Sequence, residues 1–260
     1  MFKYTPDRVY SRRVINALED RTMRRMWSLL AVASLGVMSL AWTQENAPKT
    51  DAPQEGAYTL RVNVKEGEVY KYKLTMDIDF GGQLVVFSAT IVNKVLKVDS
   101  EGNYTMESTQ ENGMVKFGDQ EMPAPASPAT KITYRPNGSV LKVEGEGDRM
   151  AGTFGNYHFP DKPVKVGDKW EQEVKPSEQA PKIKSTYEVV GTEKIGDYET
   201  VKIKVSGKSD NETQPMSFDG HVWVDIKTGM AVRTVMTIKG LPAEGAPMPI
   251  DGTLKMELVK

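Results

Sequence analysis

The chain has 260 residues, 39% of them hydrophobic and 27% charged, with a formal net charge of −1 and no cysteine. That size and composition describe a globular chain of one domain or two small ones, not a disordered one. The missing cysteines exclude disulfides, thiolate catalysis, Cys-based zinc or iron–sulfur centres and the lipidated Cys of a bacterial lipoprotein. Residues 1–41 hold seven Lys/Arg and three Asp/Glu, so the remainder carries a net −5 and no basic footprint for nucleic acid.

In chain order, residues 1–22 form a charged preface, and Met23 is the expected start. Ser11-Arg12-Arg13-Val14-Ile15 faintly matches a twin-arginine signal but is distant from the apolar run. Residues 23–41 read as a signal peptide. Arg24 and Arg25 precede the uncharged stretch 26–41, and the small residues Ser39 and Ala41 set a cleavage site between Ala41 and Trp42. A membrane span needs about 20 apolar residues, more than this run supplies. Residues 42–56, rich in Ala, Pro, Asn and Gln, form an expected flexible leader.

From residue 57 a period of two dominates. Tyr70, Tyr72, Leu74, Met76, Ile78 and Phe80 alternate with Lys71, Lys73, Thr75, Asp77 and Asp79. One face of such a strand is buried and the other wet, which is the pattern of antiparallel sheets. Val85, Phe87, Ala89 and Ile91 share a parity, as do Ile183, Ser185, Tyr187 and Val189, then Val201, Ile203 and Val205. Val222, Val224 and Ile226 lead through Lys227-Thr228-Gly229 to Val232, Thr234, Met236 and Ile238, and Leu254, Met256 and Leu258 suit a closing strand. Gly-containing turns recur at 100–103, 135–138 and 195–197. Only residues 147–157 offer a short helical turn. The expected fold is all-β: a large curved antiparallel sheet, either an open barrel or two packed sheets.

Residues 64–70 echo 164–170, residues 99–104 echo 193–198, and 132–138 echo 222–229, in the same order and at offsets of 100, 94 and about 91. Two related halves, 57–150 and 160–260, would give such echoes; so would turns reused throughout an antiparallel protein. In the first pair Gly permits a tight turn, the following Glu68 or Asp168 bonds nearby amides, and Tyr70 or Trp170 enters the core.

Chemistry-bearing patterns are sparse. His158 and His221 lie in no ligand-spaced pair, although His221 shares strand parity with Trp223 and Asp225. Asp77 and Asp79 share a strand face, and 99–103 has the composition of a calcium loop without EF-hand spacing. Asn103, Asn137 and Asn211 open chance sequons. No nucleophile elbow, P-loop or dinucleotide fingerprint occurs. Two Pro/Met-rich loops, 118–130 and 240–252, could cover an apolar cavity or meet a partner.

The segments 159–170, 65–72 and 220–229 resemble signatures of an uncharacterised family of bacterial secreted β-rich proteins, a domain of unknown function. The resemblance covers most of 57–260, and its motifs are structural, so it implies no catalytic residues. At fold level the chain also resembles the half-barrel carriers of lipids and lipoproteins in bacterial envelopes. Together these readings set the expectation of an exported, periplasmic or secreted, non-enzymatic protein without a cofactor or metal. Its partner would be an apolar small molecule, a lipid or an envelope protein. Tyr70, Tyr72, Trp170, Tyr187 and Trp223 are the candidate apolar lining. The alternatives are a structural or interaction module of the envelope and, lastly, a hydrolase.

Overall fold

The computed structural model describes residues 56–80, 82–145, 157–174, 182–211, 213, 215–241 and 249–259. The expected preface, the signal peptide, most of the leader and nearly all of the helical turn at 147–157 lie outside them. The cleavage site expected between Ala41 and Trp42 lies outside them as well, so neither Ala41 nor Trp42 is among the described residues.

The described chain is all-β. Its strands are β1 (Val69–Phe80), β2 (Gln83–Val98), β3 (Tyr104–Phe117), β4 (Gln120–Pro123), β5 (Thr130–Tyr134) and β6 (Val140–Glu144). They continue as β7 (Lys169–Val174), β8 (Ile183–Ile195), β9 (Tyr198–Ser209), β10 (Ser217–Asp225), β11 (Ala231–Leu241) and β12 (Ile250–Val259). They form one 12-stranded antiparallel sheet in the order β6-β5-β3-β2-β1-β12-β11-β10-β9-β8-β7, with β4 beside the far end of β3. The sheet is therefore single and open. Apart from β5 beside β3 and β1 beside β12, each step of this path joins strands consecutive in sequence, and β12, read from sequence as a closing strand, sits at the centre against β1. Every step along this path is antiparallel and its eleven strands are odd in number, so the edges β6 and β7 point the same way. Simple hairpin pairing cannot close such a meander; a parallel closure would be needed.

The echoed turns adopt one geometry. Lys65 N–H donates to Glu68 Oε2 and Lys165 N–H to Asp168 Oδ2, both at 2.9 Å. Gly67 N–H donates to Val95 O (2.9 Å) and Val95 N–H to Glu68 O (2.8 Å). Gly167 N–H donates to Val189 O (2.8 Å) and Val189 N–H to Asp168 O (3.0 Å). Both glycines are left-handed, φ +86° and +93°, where a Cβ would be strained. The β2–β3 ladder slips between Val95 and Lys97, and the β8–β9 ladder between Val189 and Gly191. A second pair of bulges follows at Thr133/Tyr134 and Trp223/Val224.

Two extended segments strap one face of the sheet. Tyr58 and Val164 exchange both backbone bonds, at 2.7 and 2.9 Å. Val62 N–H reaches Pro136 O (2.7 Å), Asn63 N–H reaches Thr228 O (2.8 Å) and Phe159 N–H reaches Asn137 O (2.8 Å). Arg61 ties the straps together, bonding Pro160 O at 2.8 Å and Asp161 Oδ1 at 3.0 Å. Leu60, Val64, Phe159 and Val164 are buried beneath them. This strapped face is the inner one.

The loop expected at 118–130 is partly strand. Phe117 pairs with Gln120 across Gly118-Asp119, with Gly118 at φ +57°, and the chain returns as β4. A two-residue turn that supplies φ > 0 suits the twist of a hairpin; Pro123 still faces Met114 and Ala124 N–H donates to Gly113 O at 2.8 Å, after which Pro125, with no N–H to give, follows. In the second loop Leu241 and Ile250 belong to strands and residues 242–248 lie outside the described set.

Candidate binding face

The inner face is filled unevenly. In the second half Val189, Val201, Ile203, Val222 and Val224 are fully buried and join the larger core cluster. In the first half Val95, Tyr104, Met106, Ile132 and Tyr134 form a smaller cluster under Val64. Beyond it, past Asn93, Ser108 and Gln110, the described apolar residues on the inner face of β1 to β4 are half-buried or exposed, save Ala89.

Register makes this explicit. One cross-strand row runs Met236–Leu254–Met76–Phe87–Val115–Met122, over β11, β12, β1, β2, β3 and β4. Met236 is 2% exposed and Leu254 8%. Met76, Phe87 and Val115 are half-buried, and Met122 is 38% exposed. The next row, Ile78–Val85–Phe117, is half-buried throughout. Strands lie about 4.8 Å apart, so Met76 to Met122 spans about 14 Å of apolar surface carrying no charge. Where this surface meets the filled half, Met76, Ile78, Ile238, Leu241, Ile250, Asp251 and Gly252 surround a shallow depression with no room for an enclosed molecule. A typical ligand pocket holds several hundred Å³, so the described residues present an open face in place of an enclosed cavity.

The five aromatic residues singled out from sequence fall in three places. Tyr70 and Tyr72 stand on the inner face of β1. Tyr72 is buried, and burial pushes its phenol well above the usual range. Tyr70 is half-buried and donates to Glu68 Oε2 at 2.7 Å; burial and that carboxylate raise its phenol too. Trp170 and Tyr187 stack at the β7 edge, 5.2 Å apart and 7° from parallel, and Trp170 Nε1–H donates to His158 O at 2.7 Å. Burial pushes the Tyr187 phenol up to about 12. Trp223 lies on the outer face. Its Nε1–H donates to Glu193 Oε2 at 2.7 Å, and Lys202 Nζ stands 4.9 Å from the ring centroid. The remaining sequence-derived site, the cleavage pair Ala41 and Trp42, falls outside the described residues and contributes nothing to this face.

The polar candidates separate likewise. His221 tilts against Trp223, ring centroids 5.9 Å apart, and burial with the nearby Lys202 charge holds its imidazole below the usual value. Asp225 instead caps the following turn, accepting from Thr228 N–H at 3.0 Å and Oγ1–H at 2.7 Å. His158 is also held low, chiefly by burial, and its Nδ1 has no hydrogen-bond partner among the described residues. Asp77 faces Lys255 at 3.7 Å on the outer face, while Asp79 accepts from Gly82 N–H at 2.7 Å in its turn. Asp99 accepts from the amides of Glu101 and Asn103, both at 2.9 Å. These carboxylates serve turns and ion pairs. No group of three or more potential metal ligands gathers among the described residues.

Val115 and Phe117 escaped the sequence reading, and Met122 entered it only as part of the Pro/Met-rich loop 118–130. The available signal was Val115-Lys116-Phe117-Gly118-Asp119, an alternating pair running into a hairpin turn, with Met122 placed opposite Val115 by that turn.

No family model and no curated protein matches the chain. Among solved structures it is similar to that of the hypothetical lipoprotein YmcC from Escherichia coli, at 13% identity over 73% of this chain and 86% of that one, with a TM-score of 0.30. It is also similar to that of a DUF1329 family protein from Desulfovibrio piger, at 10% identity over 74% of this chain and 84% of that one, with a TM-score of 0.23.

Proposed function

We propose that this chain is an exported envelope protein that holds an apolar guest against the open part of its inner face and performs no chemistry on it. The row from Met236 to Met122 carries the reading. Its apolar residues lose cover step by step across six strands, and its outer members stand half in water. Contiguous exposed apolar surface rimmed by polar residues is what binding faces offer. Export rests on the sequence of residues 23–41. A binding role fits polar groups spent on turns and ion pairs. The guest is a lipid-like molecule or an apolar segment of another envelope protein.

Native mass spectrometry of the chain purified gently from the periplasm tests this. A reproducible bound lipid mass is expected, lost in Phe87→Asp and Val115→Asp and kept in Val86→Asp, which alters the opposite face of β2. Absence of any bound mass across expression hosts, or equal retention in all three variants, would refute a lipid guest.

A further inference from the structure

We infer that the outer edge of β6 is a self-association edge, pairing antiparallel with β6 of a second copy about a two-fold axis through Val143.

Among the described residues nothing pairs with this edge, and it lacks the usual guards. Edge strands are normally protected by proline, by charge or by a covering element. β4, an edge strand of the first half, ends on Pro123 and is followed by Pro125 and Pro128. All five residues of β6 are exposed, and Val140, Leu141 and Val143 are 40%, 43% and 42% exposed. Its two charges, Lys142 and Glu144, pair with each other at 2.8 Å and so cancel.

Register selects the occupant. Val143 ends the inner-face row Val95–Met106–Ile132–Val143, whose first three members are buried. Glu144 ends the outer-face row Glu107–Lys131–Glu144, which alternates in sign, with Lys131 Nζ 3.6 Å from Glu107. An antiparallel copy centred on Val143 sets Val143 against Val143. It sets Lys142 against Glu144 and Glu144 against Lys142. The apolar row then continues as valine on valine, and the charged row continues as Glu–Lys–Glu–Lys. Moving the centre by one residue puts like charge on like, Lys142 on Lys142 or Glu144 on Glu144. The pairing is isologous and closes at two copies.

β7 is the other candidate partner edge, but its charges are held by residues on and beside its sheet neighbour β8, whereas Lys142 and Glu144 of β6 pair only with each other among the described residues. Lys169 pairs with Glu188 at 3.2 Å, Glu171 with Lys184 at 2.8 Å and Glu173 with Lys182 at 2.7 Å.

Sedimentation of the purified chain over a concentration series tests the inference. The wild type is expected to show a weak, reversible monomer–dimer equilibrium. Lys142→Glu and Glu144→Lys each place like charges opposite one another twice and weaken association about tenfold or more. The double variant Lys142→Glu/Glu144→Lys restores it. So does mixing the two single variants, because every facing pair then has opposite sign. Both side chains are well exposed, and circular dichroism and the unfolding midpoint of each variant confirm that the fold is kept. A chain that stays monomeric at its highest soluble concentration overturns the inference. So does a dimer indifferent to the single reversals, or a double variant that fails to recover; the last outcome points to β7 or a foreign strand as the occupant.

Discussion

Gly229 sits where the strap from residues 58–64 crosses the β10–β11 turn, and replacing it with alanine measures what that strap contributes. Its φ is +70°, and a Cβ built there would lie 2.1 Å from Arg61 O, 2.5 Å from Arg61 C and 2.8 Å from Val62 N. Those are backbone atoms, so the strap has to lift. Gly196 is the matched control: φ +57° in the β8–β9 turn, with nothing within 4 Å. Alanine there carries only the left-handed backbone cost, about 1–2 kcal/mol. At Gly229 the same cost is joined by the Asn63–Thr228 and Val62–Pro136 bonds, worth about 1 kcal/mol each. Partial exposure of Leu60, now buried, adds about 1–2 kcal/mol. Gly229→Ala is therefore expected to lose about 4–6 kcal/mol and Gly196→Ala about 1–2, read from urea unfolding with unchanged m-values. Hydrogen exchange at the Asn63 amide accelerates in the first variant alone. Losses that agree within about 0.5 kcal/mol would refute a rigid strap.

Ile203→Ala, in the filled half, is expected to cost about 4 kcal/mol, whereas Phe87→Ala on the open face costs about 1 kcal/mol, both by chemical denaturation; equal losses would mean that the face is not open. Thr234→Val strands the buried Tyr157 hydroxyl, now 2.7 Å from Thr234 Oγ1, and costs about 1–3 kcal/mol, part of which adding Tyr157→Phe recovers. Glu68 is held below its usual value of 4.5, first by the Lys65 amide and then by the Tyr70 hydroxyl. A depressed carboxylate stabilises the fold fully above its unfolded value, and that contribution fades as pH falls through the folded value. The stability advantage of wild type over Glu68→Gln should therefore be flat above pH 4.5 and shrink below it, in urea midpoints taken from pH 7 to pH 3.

The alternation in β1 was legible because that strand is wet on one face along its length, so residue type reports side directly. The acid after each turn glycine was legible because its bonds are local. β3 hid its role. Met106, Ser108 and Gln110 face inward at even positions, but the ladder slips opposite Ser88 and Thr90, with Asn112 at φ +52°. Beyond that slip Val115 and Phe117 face inward at odd positions. A bulge inserts one residue and exchanges the faces, so a single period fitted through β3 finds no pattern. Trp223 was misgrouped for a related reason. Parity shows that it shares a face with His221, but only the cross-strand partners Lys202 and Arg233 reveal that this face is the outer one.

The two halves share their backbone devices and differ in what fills them. Val95 and Val189 close matching turns beside matching bulges, so comparable stretches of β2–β3 and β8–β9 follow. Yet β2 and β3 run 16 and 14 residues against 13 and 12 for β8 and β9. Phe87 and Val115 stand on that added length. Between them and the first-half core, the inner face turns polar: Asn93 pairs with Ser108, and Ile91 with Gln110. At the same two levels the second half has Tyr187 with Val205, both buried, and then the small residues Ser185 and Gly207. A strand extension serving only to enlarge the core would continue its apolar rows without a polar belt, because each buried polar group needs a partner. The outer members of the ladder, Phe87, Val115 and Met122, are set apart from the first-half core by that belt and join the second-half core only through Met76, Leu254 and Met236; left half in water, they gain little for folding. That is why the proposed guest is placed there and not on the aromatic residues that build the turns.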